Sequence, residues 1–336
     1  MKDLIKRLVE TNSPSGYESA IREVIMAEIE PLVAEMRIDP LGNLIARKGS
    51  LQAGGRRIMI AGHMDEIGVI VTHVDEKGFV RFAGIGGLYP QALTGSRVQF
   101  MNGTMGVVFM EARHLENNTP AGLDKFFIDV GACSRADCPV RPGDVAVFWR
   151  PFVDMGSRLM SKAMDDRIAV AIMIETLRNV KDTPNELNFV FTTQEEVGLR
   201  GAQVSSFSVN PDLGLAVDIT DSYDTPNNYE NSLAMGKGPA IKVMDDYLIA
   251  DGRIVHWMTA AAEKLEIPYQ YEVLTEGGTD AGAIQDARAG VPAGCLSIST
   301  RYAHSPSEMV DYQDVLHAVK LLTELVSNPV DLDLPD

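Results

Sequence analysis

Apolar positions recur at helical spacing over Met1–Glu10 and again from Tyr17 to about Glu30, with Asn12-Ser-Pro-Ser-Gly16 breaking the two helices and Pro31 stopping the second. Met36–Asp39 and Gly42–Arg47 read as a β-hairpin around Pro40-Leu-Gly42. Arg57-Ile-Met-Ile-Ala61 is short and nearly continuous in apolar side chains, the pattern of a strand buried on both faces of a mostly parallel sheet. From Gly68 to Asp154 the texture changes. Short alternating runs, among them Gly68–Val74, Phe79–Phe82, Arg97–Phe100 and Val145–Trp149, are separated by Gly, Asn, Asp and Pro. Without a helical period of any length, this segment predicts a small antiparallel barrel or sandwich inserted into an α/β host.

The α/β pattern resumes at Ser161, with a helix from Lys162 to about Asn179, a strand over 187–193 and a helix around Leu199–Ser206. A strand at Gly214–Val217, a helix over 252–265, a strand at Tyr269–Leu274 and a short helix after Gly277-Gly-Thr-Asp280 follow. The run Ala293–Ile298 and a helix over about 311–327 complete the series, and the acidic, proline-ended tail is expected to fray. Alternating strands and helices on both flanks predict a three-layer αβα domain with a mixed, mostly parallel sheet. Its two parts would be 1–67 and 155–336, with the inserted β-barrel domain at 68–154.

Composition narrows the function classes. With 336 residues, of which 45% are hydrophobic, the chain has material for roughly two domains and a large core. Acidic residues outnumber basic ones 47 to 30, a formal charge of -17 that argues against nucleic acid and anionic membrane as partners. Three cysteines cannot build a disulfide framework, and Cys133 and Cys138 lack a second Cys or His pair for a structural zinc. The amphipathic N-terminus has no signal-peptide core, and no apolar run approaches the roughly 20 residues of a membrane span. A cytoplasmic protein is the expectation.

Chemistry gathers at the strand ends. His63 follows the strand at 57–61, Glu195 and Glu196 follow 187–193, Asp218 follows 214–217, and His304 lies beyond 293–298. Asp165 and Asp166 stand at a helix N-terminus. Singly, each has an ordinary reading: a loop histidine, a helix-dipole charge, a turn cap. Together they form an imidazole and carboxylate set at the carboxyl edge of an α/β sheet, where such folds bind ligands. His73, His114, His256 and His317 lack this context. A set of N and O ligands without thiolate suits zinc, cobalt or manganese in an open site. Two His, two Asp and one Glu carry three negative charges, which two divalent ions and a hydroxide would neutralise. Such a pair of ions lowers the pKa of a shared water and polarises a carbonyl. Adjacent Glu residues at a strand end point oppositely, so one of Glu195 and Glu196 is left to act as general base.

Five segments in this order resemble the tetrahedral aminopeptidases, dinuclear metallopeptidases that also carry the names glutamyl aminopeptidase, deblocking aminopeptidase and cellulase M. The segments are Ala61–Gly68, Lys162–Arg167, Gln194–Ala202, Gly277–Gly282 and Arg301–Ser305, and the resemblance covers essentially the whole chain. It implies that His63 binds one metal and His304 the other, that Asp165 bridges them and is joined to Asp166 by a cis peptide, and that Glu196 and Asp218 complete the two coordination spheres. Glu195 would be the base, Asp65 the carboxylate orienting His63, and Thr279 and Asp280 neighbours of the substrate. It further implies two divalent ions per subunit, zinc first, short peptides as substrate, a PDZ-like barrel that dimerises, and dimers that assemble into a dodecamer.

Two rival readings are a metal-free glycosidase using Glu195 with Asp218, against which the histidines argue, and a non-enzymatic metal-binding scaffold that captures peptide ends. Specificity is open at this stage: the loop Asp221–Glu230 and Thr300–Tyr302 are candidate pocket walls, and Arg301 is either a selector of acidic residues or an ion-pair partner. Neutral, leucine-like N-terminal residues are the expectation.

Overall fold

The structure is a computed structural model that describes residues 1–112, 122–226, 233–330 and 332. His114, the far end of the loop at 221–230 and nearly all of the acidic tail lie outside the described residues.

The large sheet contains β1 (Glu35–Ile38), β2 (Leu44–Lys48), β3 (Arg57–His63), β10 (Val153–Asp154), β11 (Arg158–Ser161), β12 (Glu186–Thr192), β13 (Leu213–Asp221), β14 (Ala240–Met244), β15 (Gln270–Val273), β16 (Ala293–Arg301) and β17 (Glu308–Asp311). Its order is β1-β2-β12-β3-β13-β16-β17-β11-β10, with β14 beside β16 and β15 beside β14. The central run β12-β3-β13-β16 is parallel, and its outer neighbours β2, β17 and β14 join it antiparallel.

Alternation along the central strands builds two cores. Ile58 and Ile60 of β3 join the cluster formed by α1 (Lys2–Glu10), α2 (Ser19–Ile29), α3 (Met164–Asn179), α5 (Gly252–Lys264) and α7 (Tyr312–Ser327). Met59 and Ala61 face the opposite side, where Val209 of α4 (Arg200–Val209) and Ala281 and Ile284 of α6 (Asp280–Gln285) pack. The result is the three-layer arrangement expected from a sheet that is apolar on both faces.

The inserted segment forms a closed barrel in the circular order β4-β5-β8-β7-β6-β9. Its strands are β4 (Gly68–Val74), β5 (Val80–Ile85), β6 (Arg97–Phe100), β7 (Met105–Met110), β8 (Phe126–Asp129) and β9 (Val145–Phe148). Alternate side chains such as Val69, Val71, Phe82, Val98, Val108 and Ile128 fill it as a core of its own. The chain is back in the large sheet by Val153, where β10 pairs with β11.

Four strands of the large sheet escape the hydrophobic pattern: β10, β11, β14 and β17 are short, and Lys242 and Glu308 put buried charges where apolar residues signal a strand. β13 and β16 also run further than their apolar stretches, because their pairing continues to Asp221 beside Thr300. Asp218 is therefore inside a strand instead of after it. At the start of α3, Asp165 and Asp166 have non-helical torsions, so regular helix begins only beyond them. No helix among the described residues is long and apolar enough to cross a membrane.

Candidate metal centre and substrate cleft

Parallel pairing brings the carboxyl ends of β3, β12, β13 and β16 to one edge, and the predicted residues meet there. His63 is the last residue of β3, and the Glu195-Glu196 pair follows β12 through Gln194 in the left-handed region at φ 55°. His304 also holds a left-handed φ of 56°, and the Asp165–Asp166 peptide bond is cis. Non-glycine residues at positive φ persist where surrounding contacts over-determine them. Here the Gln194 N–H is held by Glu18 at 3.2 Å and the His304 N–H by Glu308 at 2.9 Å.

Asp165 lies between the imidazoles, with Oδ1 3.0 Å from His63 Nε2 and Oδ2 3.2 Å from His304 Nε2. Glu196 Oε2 is 3.6 Å from His304 Nε2, and Glu195 Oε2 is 3.9 Å from His63 Nε2. Asp218 falls on the His63 side: potential ligand atoms of His63, Asp166 and Asp218 lie within 4.8 Å of one another, as do those of His63, Asp165 and Glu196. Asp166 is buried, and its carboxylate accepts the His63 N–H at 3.2 Å and the Ala169 N–H at 3.3 Å.

Two further buried carboxylates anchor the loops. Asp65 Oδ1 accepts the Glu195 N–H, and Oδ2 accepts the Glu196 N–H and, at 2.6 Å, the Ser15 hydroxyl. Its Oδ1 also stands 3.5 Å from His63 Nδ1, whose hydrogen-bond partner is the Asp65 carbonyl at 3.1 Å. Glu308 does the same on the opposite side, accepting the Asp165 N–H at 3.0 Å and the His304 N–H. Glu308 went unnoticed in the sequence because a Glu four residues past a His reads as surface charge; the short run to the unpredicted β17 was its only signal. Residues from the barrel insertion complete the wall: a Cβ on Gly86 would meet Glu196 Oε2 at 2.8 Å, and one on Gly87 would meet His304 Nδ1 at 2.9 Å.

The donor set fits divalent cations. Burial pushes the Glu196 and Asp218 carboxyls up to about 8, with the Asp165 charge adding to it in both. Burial, with the Asp218 and Glu196 charges behind it, also raises Glu195. Burial opposes charge on Asp165 too, yet hydrogen bonds from His304 and His63 hold it well below the usual range. The imidazoles are raised in return: burial works against their charge, and contact with Asp165 outweighs it, to about 11 for His304. Glu196 Oε1 is buried without a hydrogen-bond partner among the described residues. So many buried carboxylates around two imidazoles have more negative charge than the protein neutralises, and one has an oxygen unused. Cation ligation answers both.

The centre opens into a cleft of about 1000 Å³ whose far wall includes Ile219–Asp221, Tyr223, Lys242, Tyr247 and Leu274–Thr279. Thr279 lines it. Asp280 instead turns inward, accepting the Thr192 hydroxyl at 2.5 Å, and burial pushes its carboxyl up to about 6. Arg301 is an ion-pair partner, with its guanidinium on both carboxylate oxygens of Asp224 at 2.7 Å.

Fold, cleft and candidate ligand set together fit a hydrolase of peptidase type. The chain belongs to the M42 glutamyl aminopeptidase family, whose model matches residues 42–321, and it is a peptide hydrolase. It is similar to the lysyl aminopeptidase of Pyrococcus furiosus, at 34% identity with 98% of each chain covered. An aminopeptidase structure from the archaeon Desulfurococcus kamchatkensis superposes with a TM-score of 0.93 at 36% identity, covering 97% of this chain and 94% of that one. The TET1 peptidase of Pyrococcus horikoshii, which can assemble into a tetrahedron or a large octahedral shell, gives a TM-score of 0.85 at 31% identity over 97% and 98% of the two chains.

Proposed function

We propose that the protein removes the N-terminal residue from short peptides at a centre of two divalent ions. The observation that carries this reading is the Asp165 carboxylate, which offers one oxygen beside each of two imidazoles, at 3.0 and 3.2 Å. His63, Asp165 and Asp218 would hold one ion, and His304, Asp165 and Glu196 the other, with zinc, cobalt or manganese as the fitting metals. When bound, such ions supply Lewis acidity toward the scissile carbonyl and toward water.

The chain's own part is positioning and proton transfer. Glu195 faces the cleft and is left outside both ligand sets. Its burial-raised affinity for protons suits it to take one from the attacking water at Oε2 and pass it to the leaving amine. Asp65 fixes that Glu through its backbone and sets the tautomer of His63. Thr279 contributes to the wall beside the substrate. The barrel, 68–154, is proposed as the dimerisation domain, with dimers assembling to a dodecamer in the cytoplasm. Support comes from the P. horikoshii relative's shell and from the exposed Met105, Val107 and Phe109 along β7.

The test separates base from ligand. Glu195→Gln is expected to keep the metals and lose about 10²–10⁴ in kcat on aminoacyl-p-nitroanilides. Glu196→Ala is expected to lose metal by elemental analysis. Equal metal loss in both would overturn the assignment, and full activity after exhaustive chelation would overturn the metal centre.

A further inference from the structure

Beyond Asp218, β13 runs on to Asp221, which stands in the walls of both the main cleft and a shallower annex of about 520 Å³. Three tyrosines line the annex with it: Tyr89 from the barrel insertion, Tyr223, and Tyr302 after β16. No Lys, Arg or His lines the annex among the described residues. The Asp221 carboxylate has neither a hydrogen bond nor an ion pair among them.

The neighbouring cations are already taken. Arg301 is held by Asp224, and the buried Lys242 is held by Glu272, with Asp245 at 3.7 Å. Burial raises the Asp221 carboxyl, and His304 is the main charge opposing that rise. A half-buried carboxylate without a partner among the described residues, in an annex lined by three tyrosines, is complementary to a cation: the carboxylate supplies charge and acceptors, and aromatic rings attract cations. An acidic side chain would meet Asp221 instead, and Lys242 is too fully engaged to attract one.

We infer that this annex is a cation subsite, which takes the ammonium or guanidinium of a lysine or arginine side chain next to the bond being cut. The inference rests on the aminopeptidase reading for its substrate and replaces the leucine-like expectation from the sequence. The basic side chain can belong to the first or the second residue of the peptide, and matched peptides tell these apart.

The experiment compares kcat/KM of the metal-loaded enzyme for Lys-Ala against norleucyl-Ala, and for Ala-Lys against Ala-norleucine. Wild type is expected to favour the lysine member of one pair by about tenfold. In Asp221→Asn the two members should become equal, and in Asp221→Glu part of the preference should return. Equal rates within both pairs in wild type, or a preference that Asp221→Asn leaves intact, would overturn the subsite. Calorimetric binding of the same peptides to Glu195→Gln supplies a readout independent of turnover. Asp221-dependent preference for the lysine peptide with no peptide cut by wild type would keep the subsite and remove the aminopeptidase reading. Turnover without preference would do the reverse.

Discussion

Asp65, with no solvent exposure, accepts the backbone N–H of Glu195 at 3.1 Å, so the proposed base is held in place by the residue two positions after His63. The same carboxylate takes the Glu196 N–H at 3.3 Å and a hydroxyl from Ser15. Asp65→Asn replaces one acceptor oxygen with an NH₂ group that faces an N–H donor. Kinetics and metal titration are expected to show losses of about 10–100-fold in activity or affinity. Wild-type kcat and metal affinity in this variant would show that Asp65 only fills space.

Glu308 makes the corresponding link between the Asp165 and His304 backbones, one oxygen to each N–H. A glutamine keeps a single acceptor and cannot serve both. Glu308→Gln is therefore expected to weaken metal binding about 10–100-fold. Titration of metal into the stripped protein measures this directly, and an unaltered dissociation constant counts against the role.

Gly87 tests how closely the barrel insertion presses on the centre. Its φ is not in the left-handed region, so alanine suffers only from the 2.9 Å approach to His304 Nδ1. The cost of such overpacking is about 1–3 kcal/mol, borne at the imidazole. Gly87→Ala is expected to lower kcat/KM while the thermal midpoint moves little. An unchanged kcat/KM would place the insertion away from the working centre.

The Asp224–Arg301 pair gives an acid dependence. Although burial opposes it, the Arg301 guanidinium holds the Asp224 carboxyl below its ordinary value of 3.8. A depressed carboxylate stabilises the fold above its unfolded pKa, and that contribution is lost as pH falls from there through the folded pKa. Asp224→Asn is thus expected to flatten the decline of the thermal midpoint below about pH 4 relative to wild type. Parallel curves for the two proteins would exclude the pair as a contributor.

Much of the fold is legible in local pattern. Nearly continuous apolar runs at Arg57–Ala61 and 187–193 mark strands buried on both faces, and the change of texture at Gly68 marks the insertion that closes as a barrel. Strands β14 and β17 were not legible, since Lys242 and Glu308 are buried by partners remote in sequence, Glu272 in one case and the Asp165 amide in the other. Arg301 stayed ambiguous for the same reason: its role depends on Asp224, 77 positions away.

By itself, the sequence determined where the central strands lie and roughly where they end, because periodicity and turn residues are local properties of the chain, although β13 and β16 run on to Asp221 and Arg301. That placed His63, Glu195, Glu196, Asp218 and His304 on one edge once the central strands were taken as parallel. Tertiary structure alone decided that Asp165 stands between the two imidazoles, that Asp65 and Glu308 hold the loops, and that Asp221 is left without a partner among the described residues. Those are relations between side chains set by packing across strands and by desolvation, and neither leaves a period in the sequence.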